Sequence, residues 1–293
     1  MRFLSRRRRA ASTRPSRRLW RWLALALLLA IVIDAAWLAW RWPDWDRLAS
    51  GPAPKSAFIT AYEQRRQADR RLPPLRWQPV PFTRIAPAMR RAVIVAEDSR
   101  FYLHEGVDFE ALMEAMEHNW EQGRITHGAS TISQQTVKNL FLSPSRDPLR
   151  KWHELVLTWA MERNLKKRRI LELYLNVAEF GPGIYGVEAA ARRYWGISAA
   201  GLSLEQAVEL AATLPSPAQN NPATRSRAFQ QRKAKIMRHL VPRTTLSAVE
   251  VQQPGPQQQA VDHEGQHADA LQQPEKDVDA QVGGETGQHA AEQ

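Results

Sequence analysis

The stretch from Trp22 to Trp40 carries one charge, Asp34, in an otherwise apolar run. At about 1.5 Å per residue, a helix of this length nearly crosses a hydrocarbon core, so the run predicts a membrane anchor at 22–42. Trp20 and Trp22 lie at one end, and Trp37, Trp40, Trp42 and Trp45 at the other, matching the preference of indoles for the two bilayer interfaces. Arg6, Arg7, Arg8, Arg9, Arg14, Arg17, Arg18 and Arg21 precede the run, and residues 1–21 contain no acid. By the positive-inside rule this basic segment stays in the cytoplasm and everything after about Trp42 lies outside it. A cleaved signal peptide is the competing reading, but a Trp-rich end carrying Asp34 makes a poor cleavage region. An acid inside a span is costly, and Asp34 is expected to mark the outer boundary.

The chain has 293 residues, no cysteine and a formal charge of +11. The missing thiols exclude a disulfide scaffold, a Cys nucleophile and a Cys-ligated metal. The charge first suggests nucleic acid, but it divides by region. The head carries nine Arg, whereas residues 245–293 hold nine Asp or Glu against one Lys. The Arg run, placed directly before an apolar span, reads as a topology signal and not as a nucleic-acid arm. Residues 245–293 have no aromatic residue and are rich in Gln, Ala, Gly and acids, so a disordered tail is expected there, with His263, His267 and His289 solvated.

Residues 43–80, with Gly51-Pro52-Ala53-Pro54 and Pro73-Pro74, read as an extended membrane-proximal linker broken by one short helix near Phe58–Asp69. From 81 to 244 helical periodicity dominates. Helices are expected over Pro87–Ala96, Asp108–Glu121, Ser130–Leu140, Leu149–Leu165, Lys167–Val177, Val187–Trp195, Leu204–Leu214 and Ala223–Leu240. No strand alternation is visible, so the fold class is all-α.

Four blocks carry chemistry. Glu97-Asp98-Ser99-Arg100-Phe101 follows the apolar Ala92–Ala96, and a carboxylate ending such a helix against apolar walls should have a raised pKa, as a general acid or base near neutrality requires. Acids at helix ends are more often simply solvated. The run from His127 to Asn139 packs Ser130, Thr131, Gln134, Gln135, Lys138 and Asn139 into a donor array suited to sugar hydroxyls and phosphate oxygens, or to a polar helix face. Arg146 precedes Arg150-Lys151-Trp152-His153-Glu154, where cations for phosphate and a second carboxylate share a helical turn. An exposed salt-bridged face would look the same. His153-Glu154 lacks the second His of a zinc motif. The last block joins Lys167–Asn176, including Arg169, to the turn Glu179-Phe180-Gly181-Pro182-Gly183.

In this order the four blocks resemble the family 51 glycosyltransferases, the peptidoglycan polymerases, over Ala86–Leu240. One anchor plus one such domain is the layout of the family's monofunctional members. The resemblance implies a lysozyme-like glycosyltransferase domain with a membrane-proximal lobe, for which apolar residues within Phe109–Trp120 and Asn139-Leu140-Phe141-Leu142 are the expected membrane-facing parts. It implies Glu97 as catalytic base and Glu154 as the second important carboxylate. It implies substrate contacts from Asp98, Ser130, Thr131, Gln134, Gln135, Lys138, Asn139, Arg150 and Lys151, and less securely from Arg146 and Arg169. His127 stands where the family commonly has Gly.

The implied reaction polymerises lipid II into β-1,4-linked glycan with release of undecaprenyl diphosphate and inversion at the anomeric carbon. No cofactor is required; a divalent ion such as Mg²⁺ is an optional aid at the diphosphate, and no metal-ligand cluster is visible in the sequence. The expected partners are lipid II, the growing glycan strand, the inner membrane and division or elongation proteins, with no nucleic acid. The expected location is the inner membrane, single-pass, with a periplasmic catalytic domain. A lysozyme-like muramidase would share the carboxylates but has little use for Lys138, Arg150 and Lys151. An inactive tethered scaffold would not need Glu97 and Glu154. No Ser lies three residues before a Lys and no Lys-Thr-Gly occurs, so no transpeptidase is expected.

Overall fold

The computed structural model describes residues 17–123, 128–144 and 148–241. The predicted basic segment before Arg17, His127, Arg146 and the predicted tail lie outside the described residues. The described residues up to Leu240 form one compact unit.

Helix α1, Arg17–Trp40, is the predicted anchor, and its apolar stretch Trp20–Trp40 has a mean hydropathy of 2.3 with none of it buried inside the protein. Two short helices follow, α2 (Trp45–Ser50) and α3 (Ala57–Ala68), each started by a side-chain cap from Asp44 or Ser56. The predicted helices then appear: α4 (Pro87–Glu97), α5 (Phe109–Glu121), α6 (Ile132–Phe141), α7 (Pro148–Asn164), α8 (Lys167–Val177), α9 (Val187–Trp195), α10 (Leu204–Thr213) and α11 (Arg227–Leu240). Their ends follow local chemistry. Pro87 sits in the first turn of α4, Asp108 accepts the Ala111 N–H at the start of α5, and Thr131–Gln134 and Ser203–Gln206 form capping boxes on α6 and α10. One core runs through α4, α6, α8, α9, α10 and α11, with Met89, Val93, Ile132, Val137, Leu171, Leu175, Val208 and Phe229 all buried.

The structure corrects three expectations. First, the 43–80 stretch is not an extended spacer. Trp45, Leu48, Ala53 and Val80 enter the main core, while Ile59 and Tyr62 pack on Tyr185. Asn176 pins its end by accepting the Val80 N–H at 2.7 Å and donating to the Val80 carbonyl at 2.9 Å. Pro-rich chain loses little entropy on being fixed, and these apolar side chains were available to bury.

Second, the domain is mostly helical as expected, but it also holds one small sheet that the sequence pattern did not show. Strands β1 (Arg76–Trp77), β2 (Glu179–Gly181) and β3 (Ile184–Tyr185) form a small sheet in the order β1-β3-β2, parallel between β1 and β3 and antiparallel between β2 and β3. Strands this short leave no alternation to read. The tight turn needs Gly183, whose φ is +74° and whose absent Cβ would lie 2.7 Å from the Tyr62 hydroxyl.

Third, the second proposed membrane-facing piece is mostly interior: Leu140 and Leu142 are buried, and Phe141 packs against the core. The exposed apolar surface lies instead on α5, where Phe109, Met113, Met116 and Trp120 follow one helical stripe, and continues through Leu103 to Trp152 and Trp159 of α7. Between α5 and α7 this surface dips into a cavity of about 750 Å³.

Candidate active site

Glu97 is the last residue of α4, and its side chain is 11% exposed. One carboxylate oxygen accepts from Arg232 Nη2 of α11 at 2.6 Å, and the other from Gln135 Nε2 of α6 at 2.9 Å. Burial pushes the Glu97 pKa above the ordinary carboxylate value, and Arg232, Gln135 and Lys138 pull against that rise. The balance is a carboxylate that accepts a proton more readily than one in water. Tyr174 of α8 backs the arrangement by donating its hydroxyl to Gln135 Oε1 at 3.1 Å, which orients the carboxamide so that its NH₂ faces Glu97.

Two pockets flank this group. One, of about 180 Å³, is lined by Glu97 itself with Ser99, Gly128, Ser130 and Thr131. The other, of about 150 Å³, is lined by Gln135, Lys138, Asn139, Tyr174 and Glu179. Burial lowers the Lys138 pKa, while the negative charges of Glu154 and Glu97 act on it in the opposite sense. Lys138 thus lies within the field of both carboxylates. Glu154 on α7 is buried and bound by its own helix neighbours, Arg150 Nη1 at 3.1 Å and Lys151 Nζ. Gln135, Lys138 and Asn139 thus share one pocket, Glu97 and the exposed Ser130 share the other, and Glu154, Arg150 and Lys151 act on Lys138 through their charges.

Other predicted contacts are spent inside the protein. Asp98 is buried, accepting the Ile132 N–H at 2.9 Å and facing His104 Nε2 at 3.0 Å, so it braces the loop before α5 against the start of α6. Thr131 and Gln134 are buried in the α6 capping box, and Thr131 also donates to the Gly106 carbonyl at 2.6 Å. Arg169 donates to the Leu48 carbonyl at 2.7 Å and the Gly51 carbonyl at 2.5 Å, and pairs with Glu172. It tethers the segment after the anchor and does not face the cleft. Asp98 and Thr131 also form part of the pocket wall beside Glu97, whereas Gln134 and Arg169 line neither pocket there.

Asp98, His104 and Asp108 bring candidate ligand atoms within 4.8 Å of one another. Their geometry does not fit a divalent ion. Asp98 is engaged as described, and both Asp108 oxygens take Arg100, at 2.8 and 2.9 Å. Both carboxylates are already engaged by groups of the protein, so no step is assigned to a metal here.

Arg232, Tyr174 and Glu179 were missed as site residues. Arg232 lies in a helix of many cations, and nothing local marks it from Arg227 or Lys233. Tyr174 reads as core, and it is buried, but its hydroxyl serves the site. Glu179 was visible in the fourth block as part of a turn; burial pushes its pKa up from 4.5 to about 7.

Comparison with known proteins converges on this architecture. The family profile described as Transglycosylase matches residues 67–241. A biosynthetic peptidoglycan transglycosylase of Methylobacillus flagellatus is 47% identical over 198 residues, covering 68% of this chain and 85% of the relative. One from Thiobacillus denitrificans is 43% identical over 231 residues, covering 76% and 97%. A third, from an Azoarcus species, is 45% identical over 203 residues, covering 68% and 86%. With a profile match over residues 67–241 and relatives more than 40% identical across most of their length, the chain belongs to the transglycosylase family.

Proposed function

We propose that this transglycosylase polymerises lipid II into β-1,4-linked glycan strands, with Glu97 as general base. The observation that carries the reading is one buried carboxylate, its pKa raised, bonded to Gln135 and within the field of Lys138, on which the charges of Arg150 and Lys151 also act. The acceptor 4-hydroxyl enters the pocket beside Glu97 and Ser130. Glu97 takes its proton as the oxygen attacks the anomeric carbon of the growing strand. The bond from that carbon to the diphosphate breaks, and undecaprenyl diphosphate leaves as an anion. Lys138, Arg150 and Lys151 offset the charge that develops on it. An α-linked diphosphate becomes a β-glycoside, and inversion needs one base and no covalent sugar intermediate. A divalent ion, where one is used, would shield the diphosphate and take no proton.

The apolar helix α1 supports a single-pass anchor in the inner membrane with Arg-rich residues in the cytoplasm and the domain outside. The exposed α5–α7 apolar surface then rests on the same bilayer, where lipid-linked substrates reside. No transpeptidase activity is expected. The test is purified chain with labelled lipid II. Long glycan strands are expected, and Glu97→Gln should lower the rate by about 10²–10⁴-fold. Normal polymerisation by Glu97→Gln would refute the assignment of the base, and shortening of preformed glycan would instead indicate a muramidase.

A further inference from the structure

Asp34, the one charge in the apolar run, has a partner. Its Oδ1 lies 2.7 Å from Nε2 of His153 on α7, and the two side chains are 23% and 7% exposed. Trp37, one helical turn further along α1, stacks on the His153 ring with centroids 4.5 Å apart and planes at 20°. Leu38, on the same face, packs against the domain core. An acid in an apolar span is costly unless it is satisfied. Here it is satisfied by the residue immediately before Glu154.

Between Leu149 and Val156, only His153 and Glu154 are buried. Glu154 is bound by Arg150 and Lys151 of its own helix, and His153 is covered by the anchor through Asp34 and Trp37. The anchor and α7 also share a cavity of about 650 Å³, lined by Ala30, Ile33 and Trp37 from one and Leu149 and Arg150 from the other. The turn that presents Arg150, Lys151 and Glu154 is therefore held against α1.

We infer that Asp34 and His153 are a positioning pair that makes the membrane anchor a working part of the active site. The anchor fixes the first turns of α7, and with them Glu154 and the cations that it holds, Arg150 and Lys151. This rests on the reading of Arg150 and Lys151 as cations that offset the charge on the leaving diphosphate.

The experiment uses the full chain in membranes. Asp34→Ala, His153→Ala and the double variant are compared for kcat and KM with lipid II, together with the exchange Asp34→His/His153→Asp. Asp34→Ala makes the span more apolar, so a loss of activity is not a failure to insert. Each single variant should lose about tenfold in kcat with KM nearly unchanged, the double should lose no more than either, and the exchange should recover most of the loss. Single variants within twofold of the native rate, a double whose loss is the product of the two singles, or an exchange no better than the singles would each overturn the pair.

A second measurement is independent of the substrate. The chain has no cysteine, so Asp34→Cys/His153→Cys carries the only two thiols. A short bifunctional thiol reagent should join them within one chain in membranes, and failure to do so would overturn the docking. Cross-linking of the double-Cys chain together with a native chain that makes no glycan would refute the proposed reaction and leave the docking intact.

Discussion

Replacing Glu179 by Gln measures the cost of the carboxyl buried beside the cleft. Glu179 starts β2 and lines the pocket with Gln135, Lys138, Asn139 and Tyr174. Burial is the dominant cause of its rise from 4.5 to about 7, and Arg65 opposes it only in part. The sign follows from proton counting. Below pH 4.5 the group is protonated in both folded and unfolded chains and contributes nothing. Between 4.5 and 7 the unfolded chain gives up the proton while the folded chain keeps it, so stability falls with rising pH. Above 7 the full penalty applies, about 3 kcal/mol from a shift of roughly 2.5 pKa units. Gln matches the protonated carboxyl in shape and never ionises. The variant should melt with the native chain at pH 4 and above it at pH 8, by about 6–12 °C for a folded unit of this size. Thermal unfolding of the full chain in detergent micelles, followed by circular dichroism at one scan rate, provides the comparison. A difference that does not change between pH 4 and pH 8, or a native chain that is the more stable at pH 8, would refute the argument.

Three further outcomes are expected. Arg232→Ala removes the cation that favours ionised Glu97, so the acid limb of the kcat/KM profile should move to higher pH; an unmoved limb would mean that the 2.6 Å contact does not act on the base. Thr131→Ala should cost about 1 kcal/mol in stability through the lost α6 cap, with recovery by Thr131→Ser, and a raised KM at unchanged stability would return Thr131 to the list of substrate contacts. A polarity-sensitive dye on Trp120→Cys should report an apolar environment in vesicles while the same dye on exposed Lys235→Cys reports water; equal, water-like emission from both would remove α5 from the membrane.

Sequence alone determined what depends on local pattern. The apolar run specified one helix long and apolar enough to cross a membrane, the 3.6-residue period specified the helices of the domain, and four ordered blocks pointed to the family. Glu97 was legible because an apolar helix leads straight into it. What only the tertiary structure decided is which polar side chains face the cleft and which face the protein. Gln134 and Arg169 have the same hydrogen-bonding chemistry as Gln135 and Lys138, so residue type and spacing could not separate an internal brace from a side chain that lines the pocket. The deciding partners are remote in the chain: Arg232 is 135 residues from Glu97, and His153 is 119 from Asp34. A charge in an apolar span is a liability by local rules, and only packing of the span against α7 supplies the group that satisfies it.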